Sequence, residues 1–111
     1  MRPTFHLVPV EAWNTSDPAR PYEASSLATE GFIHCTDGAD EMVATANRHY
    51  RDDRRAFLVL TIDLDAAGNP WRIEDQREIY PHVFGPIERA AVIRVAPAPR
   101  SAEGKFLLLK V

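Results

Sequence analysis

The stretch Phe57-Leu58-Val59-Leu60-Thr61-Ile62-Asp63-Leu64 limits most severely what this chain can fold into. It is a nearly continuous apolar run, whereas a strand with one wet face alternates apolar and polar residues. A run of this kind predicts a central strand covered on both faces. It is far shorter than the roughly 20 apolar residues a membrane helix needs. The chain therefore has to supply packing layers on both sides of this strand, and 111 residues suffice for one core and one domain spanning 1–111. No repeat, low-complexity tract or linker divides it.

The segments around that run predict the covering layers. Thr4 to Val8 reads as a first strand, with Phe5 and Leu7 on one face and His6 and Val8 on the other, ended by Pro9. Glu11 to Trp13 suits a short helix, and the polar, proline-containing stretch Asn14 to Pro21 is a loop leading to Tyr22. Ser25 or Ser26 caps a helical turn that ends at Gly31, and Phe32 to Cys35 follows as a short strand. Thr36 and Asp37 are expected caps of a helix over about 38–50, whose apolar stripe is Met42, Val43, Ala46 and Tyr50. Asp65 to Pro70 is a turn, Trp71 to Glu74 a short strand, and a polar loop runs on through Glu78. Ala90 to Val95 and Lys105 to Lys110 complete the strands, separated by the turn-rich Pro97 to Gly104. Six short strands and one substantial helix imply a compact α+β domain with a strongly bent, largely antiparallel sheet.

Charge and cysteine content narrow the chemistry. A net charge of −3 argues against broad binding to nucleic acid, so an RNA partner lacks electrostatic support. Arg48, Arg51, Arg54 and Arg55 form a basic cluster that suits either a solvated helix end or a local anion-binding patch. The single cysteine, Cys35, excludes an internal disulfide and any two-thiolate metal site, and no metal is expected. Nothing near Cys35 lowers its thiol pKa, so it reads as a small buried apolar residue. The N-terminus lacks the apolar core of a secretory signal, and a cytoplasmic location with no membrane association is expected.

Two histidines are mounted rigidly. His34 lies in the apolar run Phe32-Ile33-His34-Cys35-Thr36, where alternation puts it on one face with Phe32 and Thr36 and places Ile33 and Cys35 on the other. His82 lies in Tyr80-Pro81-His82-Val83-Phe84-Gly85-Pro86-Ile87, held by fixed proline φ angles and aromatic neighbours. The competing readings are a core histidine bonded to a backbone carbonyl for His34, and a fastening role at the bend for His82. His6 and Tyr22 approach His34 where the first two strands are neighbours. His49 reads as a helix C-terminal charge, Asp63 and Asp65 as turn initiators, and the spacing selects neither Glu74 nor Glu78 as a general base.

The stretches Ser26-Leu27, Glu30 to Thr36, Ala46 to Tyr50 and Tyr80 to Ile87 together resemble the bacterial domain-of-unknown-function family 952 (DUF952), over nearly the whole chain. The order of Glu30-Gly31, Ile33 to Thr36, the Ala44/Ala46 helix and Leu58 to Asp63 is also distantly similar to the RNA 2′-phosphotransferase group of ADP-ribosyltransferases. That second resemblance implies an ADP-ribosyltransferase-like fold with a split sheet and a histidine-lined cleft for NAD, ADP-ribose or a related nucleotide. NAD would be a substrate, and no firm cofactor is implied. His34 matches the histidine that contacts ADP-ribose, Thr36 stands beside it, and His6 matches a basic residue of the first strand. Phe32 stands where the family has its first motif histidine. On this reading His34 and His82 are the catalytic residues and His6, Tyr22, Ser26 and Thr36 contact the ligand, with Tyr22 stacking on nicotinamide. The alternative is a non-enzymatic module that binds a small anion or a protein on the same fold without catalysis. Glutathione transfer finds no support, because the chain is too short for a thioredoxin-like domain with its helical partner.

Overall fold

A computed structural model describes residues 1–109. Over these the chain runs β1 (Pro3–Pro9), α1 (Val10–Thr15), α2 (Ser25–Glu30), β2 (Ile33–His34), α3 (Ala39–His49), β3 (Phe57–Asp63), β4 (Trp71–Ile73), β5 (Pro81–Val83) and β6 (Val92–Pro97), with single 3-10 turns at Leu64–Ala66 and Arg89–Ala91. The strands form two three-stranded sheets, ordered β1-β3-β6 and β2-β5-β4. All neighbouring strands are antiparallel. The fold is thus α+β with its strands divided between two sheets, as expected.

The apolar run becomes β3, the central strand of the first sheet, and both of its faces are covered. On one side Leu60 and Ile62 join Val8, Tyr22, Ile33, Cys35, Val83 and Ile87 in the main core between the sheets. On the other, Phe57 packs with Ala46 of α3 and Phe106 in a smaller cluster. Alternation in β1 follows the expected pattern: Thr4, His6 and Val8 are buried, and Phe5 and Leu7 are half-buried.

Two isolated bridges lace the halves together. Phe5 and Thr36 exchange backbone hydrogen bonds of 3.0 and 2.7 Å, tying β1 to the chain leaving β2. Tyr22 and Ile87 exchange bonds of 2.7 and 2.9 Å and close the other side of the core.

Four expectations change. Thr36 and Asp37 do not cap α3: the N-cap is Gly38, at φ 88°, a left-handed backbone that glycine adopts without steric cost. Thr36 is occupied by its bridge to Phe5, and the Asp37 carboxylate by the Arg2 guanidinium at 2.6 Å. The α2 N-cap is Ala24, with no side-chain cap, because Ser26 Oγ donates instead to the Phe32 carbonyl at 2.8 Å across the Gly31 reversal. Pro81-His82-Val83, expected only as a rigid bend, is the middle strand of the second sheet. Proline at a strand's first residue costs little ladder bonding, and its carbonyl still accepts from Cys35 N at 2.9 Å. Finally, Lys105 to Lys110 is not a strand over its described part: Phe106 makes a single bridge to Arg100, and its backbone is held by the Asn47 amide. Lys110 lies outside the described residues. No helix among the described residues is long and apolar enough to cross a membrane.

Candidate functional site

The second sheet has one face in the core and one turned outward. Ile33 on β2 and Val83 on β5 are wholly buried and directly opposed, so their chain neighbours point the other way. Register then builds a row across the outer face. His34 is paired with His82, and His82 with Arg72 of β4, so the row reads His34, His82, Arg72 over the three strands.

An aromatic pair flanks the row. Phe32 stacks on the His82 ring at 4.0 Å between centroids with 13° between planes, and lies 5.8 Å from Phe84. The Arg72 guanidinium sits 4.5 Å over the Phe84 ring. The two imidazoles are 5.4 Å apart, edge to face. Carboxylates stand at the margins: His34 Nε2 donates to Glu30 Oε2 at 3.0 Å, and Glu74 Oε1 lies 3.8 Å from His82 Nδ1. The His34 side chain is 52% exposed and that of His82 only 21%. Burial, followed by the proximity of His34, lowers the His82 pKa, so its ring is neutral at physiological pH. Its Nδ1 is buried and has no hydrogen-bond partner among the described residues. A neutral imidazole beside a carboxylate can accept a proton, and an aromatic patch bordered by a guanidinium can hold a flat, anionic ligand.

A second histidine group lies behind this face. His6 is buried, its Nδ1 2.6 Å from the His34 carbonyl and its Nε2 2.7 Å from the Tyr22 hydroxyl. A carbonyl can only accept, so Nδ1 carries the proton, and Nε2 of the neutral ring accepts from Tyr22. Burial lowers the His6 pKa to about 4 and raises that of the Tyr22 hydroxyl, leaving both groups uncharged. The core-histidine reading entertained for His34 thus describes His6. Cys35 is also buried, with its thiol pushed up to about 12, in keeping with an apolar structural role.

The six predicted residues do not line one cleft. His34 and His82 share the outer face. His6, Tyr22 and Thr36 are buried beneath it, where the Tyr22 ring contacts Trp13 at 5.3 Å and Thr36 is drawn inward by its bridge. Ser26 supports the Phe32 backbone. Thr36 was expected on the His34 face; it leaves that face because the chain crosses to the first sheet directly after His34. A surface depression of about 490 Å³ beside Pro9, Asn14 and Arg55 contains none of the predicted residues.

Residue-by-residue reading overlooked Arg72 and Phe84 as neighbours of the histidines. Alternation in Trp71-Arg72-Ile73-Glu74 already put Arg72 on an outward face, but its place beside His82 depends on β5 being a strand, which Pro81 disguised.

Two crystal structures of the protein CC0527 from Caulobacter crescentus, one of them of a double mutant, superpose on this fold with a TM-score of 0.76 at 18% sequence identity, covering 95% of this chain and 93% of theirs. A solution NMR structure of CC0527 superposes with a TM-score of 0.71 at 20% identity, covering 94% of this chain and 90% of that one. No curated protein matches the sequence. The family described as "Protein of unknown function (DUF952)" matches residues 7–95, which include β1 from Leu7 onward, the whole second sheet and the His34–His82–Arg72 row. The chain belongs to the DUF952 family.

Proposed function

We propose that this protein binds an ADP-ribose-type nucleotide, such as NAD or ADP-ribose, on the outer face of the second sheet, and that its fold is of the ADP-ribosyltransferase-like kind. The observation that carries this reading is the cross-strand pair His34–His82 with Phe32 stacked on it at 4.0 Å, on the solvent side of a sheet whose other side is core. Imidazole, phenyl and guanidinium groups on one face supply stacking for a base and charge for a phosphate. The division of the antiparallel strands between two sheets supports the reading, since the resemblance to the ADP-ribosyltransferases implies a split sheet.

In a transfer reaction the glycosidic bond between ribose C1″ and the nicotinamide nitrogen breaks. Nicotinamide leaves with the bonding pair, and a bond forms from C1″ to an acceptor oxygen. The acceptor proton passes to neutral His82, whose positive charge Glu74 offsets. One observation favours binding without turnover: Glu30 already engages His34 Nε2.

Ligand-observed NMR with NAD, ADP-ribose, AMP and glutathione tests the reading, run on the wild type and on His34→Ala. The His34 side chain is half-exposed and outside the core, so the variant melts like the wild type. Contact with NAD or ADP-ribose that vanishes in the variant supports the site, and nicotinamide release from NAD then separates turnover from binding. Silence of the wild type towards every nucleotide overturns the proposal.

A further inference from the structure

We infer that Arg72 is the phosphate-binding residue of this face, and that the ligand lies across the strands with its phosphate on β4 and its sugar hydroxyls at Glu30 and His34 beside β2. This inference rests on the nucleotide-binding reading and adds an orientation and a chemical class to it.

The geometry is set by register. Arg72, His82 and His34 are successive partners across β4, β5 and β2. With a strand spacing of about 4.8 Å, the two ends of the row are about 10 Å apart. The ends differ in charge. At the β2 end, Glu30 bonds His34 and presents carboxylate oxygens, which accept from hydroxyls and repel phosphate. At the β4 end the Arg72 guanidinium makes no hydrogen bond or ion pair with any described residue. The Glu74 carboxylate, two residues along the chain from Arg72, is placed against His82 Nδ1 at 3.8 Å.

Other arginines near the second sheet are already engaged. Arg2 is paired with Asp37, Arg77 with Glu41, and Arg48 donates to the Tyr80 hydroxyl. Arg72 instead sits with its guanidinium carbon 4.5 Å from the centre of the Phe84 ring, a contact that holds the group over the ring while its N–H groups bond no described residue. A planar, oriented guanidinium with free N–H pairs matches two phosphate oxygens, a geometry that a lysine ammonium does not reproduce. The phosphate then neutralises the one cation of the row that no carboxylate compensates.

The test compares adenosine, AMP and ADP-ribose on the wild type, Arg72→Gln and Arg72→Lys, by NMR titration at constant ionic strength. Arg72 is exposed and has no polar partner among the described residues, so both variants melt like the wild type. The expected result is that the wild type binds AMP about tenfold or more tightly than adenosine. Arg72→Gln removes this preference and leaves adenosine binding unchanged, and Arg72→Lys restores only part of it. Equal affinity of the wild type for adenosine and AMP, or full AMP affinity in Arg72→Gln, overturns the assignment of Arg72 while leaving the nucleotide site standing. A wild type that binds none of the three overturns the underlying reading instead.

Discussion

His6 shows what burial does to a single titratable residue in this protein. Buried and neutral, its ring donates from Nδ1 to the His34 carbonyl and accepts at Nε2 from Tyr22. Its folded-state pKa of about 4 lies below the unfolded value of 6.5. Between these values the unfolded chain binds a proton that the folded chain refuses. The stability His6 contributes is therefore complete above pH 6.5 and is lost as the pH falls towards 4, at up to about 1.4 kcal/mol per pH unit and roughly 3 kcal/mol in all. His82, also lowered, adds loss of the same sign in the upper part of this window. Urea unfolding between pH 7 and pH 4 should show this slope, and His6→Gln, which keeps a donor and an acceptor without titrating, should be less stable at pH 7 yet much flatter. An unchanged slope in His6→Gln would assign the effect to other groups. Of these properties, the face that His6 shares with Val8 was legible from the alternation Phe5-His6-Leu7-Val8, whereas its burial was not. The approach of His6 and Tyr22 to His34 was expected as well, but not the atoms that meet, because the His34 carbonyl and the Tyr22 hydroxyl belong to residues 28 and 16 positions away.

At the scale of elements, the segment that leaves α3 is held by a residue far along the chain. The basic cluster at Arg48, Arg51, Arg54 and Arg55 suggested that the helix supplies its own C-terminal cations. Arg48 and His49 do stand in its last turn, and the carbonyls beyond that turn are gathered by Arg100, whose guanidinium donates to Tyr50 at 3.3 Å, Arg51 at 3.0 Å, Asp53 at 2.6 Å and Arg55 at 2.8 Å. Its Nε and Nη2 also donate to the Gly104 carbonyl at 3.2 and 3.0 Å, and its Cζ lies 4.3 Å from the centre of the Phe106 ring. A lysine has three donors on one atom and cannot span these acceptors. Arg100→Lys should therefore cost about 2–3 kcal/mol, from lost charge-assisted bonds and lost stacking on Phe106. Chemical denaturation with an unchanged m-value would show this as a shifted midpoint, whereas a loss below about 0.5 kcal/mol would mean that water replaces the guanidinium at little cost. This clasp escaped the sequence reading because Arg100 reaches the segment after α3 through the turn that follows β6.

For the whole molecule, the main core belongs to both sheets at once. Val8 and Leu60 from the first and Ile33 and Val83 from the second pack in a single cluster, and Trp13 and Trp71 are both seated against it. Separating the sheets exposes that cluster and breaks the Phe5–Thr36 and Tyr22–Ile87 bridges, so neither sheet has a core of its own on this side. Unfolding should be a single cooperative transition. Tryptophan fluorescence, read separately in Trp13→Phe and Trp71→Phe, and far-UV circular dichroism should give coincident midpoints. Distinct midpoints for the two tryptophans would show that the sheets unfold independently.

Local pattern was enough for the α+β class, the doubly covered central strand, the alternation of β1 and a helix over about 38–50, because each rests on periodicities that repeat within a few residues. It also singled out His34 and His82 through their apolar and proline-bracketed settings. Tertiary structure alone decided that the two are cross-strand partners, that Arg72 completes their row, and that His6, Tyr22 and Thr36 lie beneath the face they were expected to line. The physical reason is that a strand's own pattern settles which way its side chains alternate, while the partner on either side is chosen by long-range register. In the second sheet that register joins strands of two or three residues, too short to carry a pairing signal of their own.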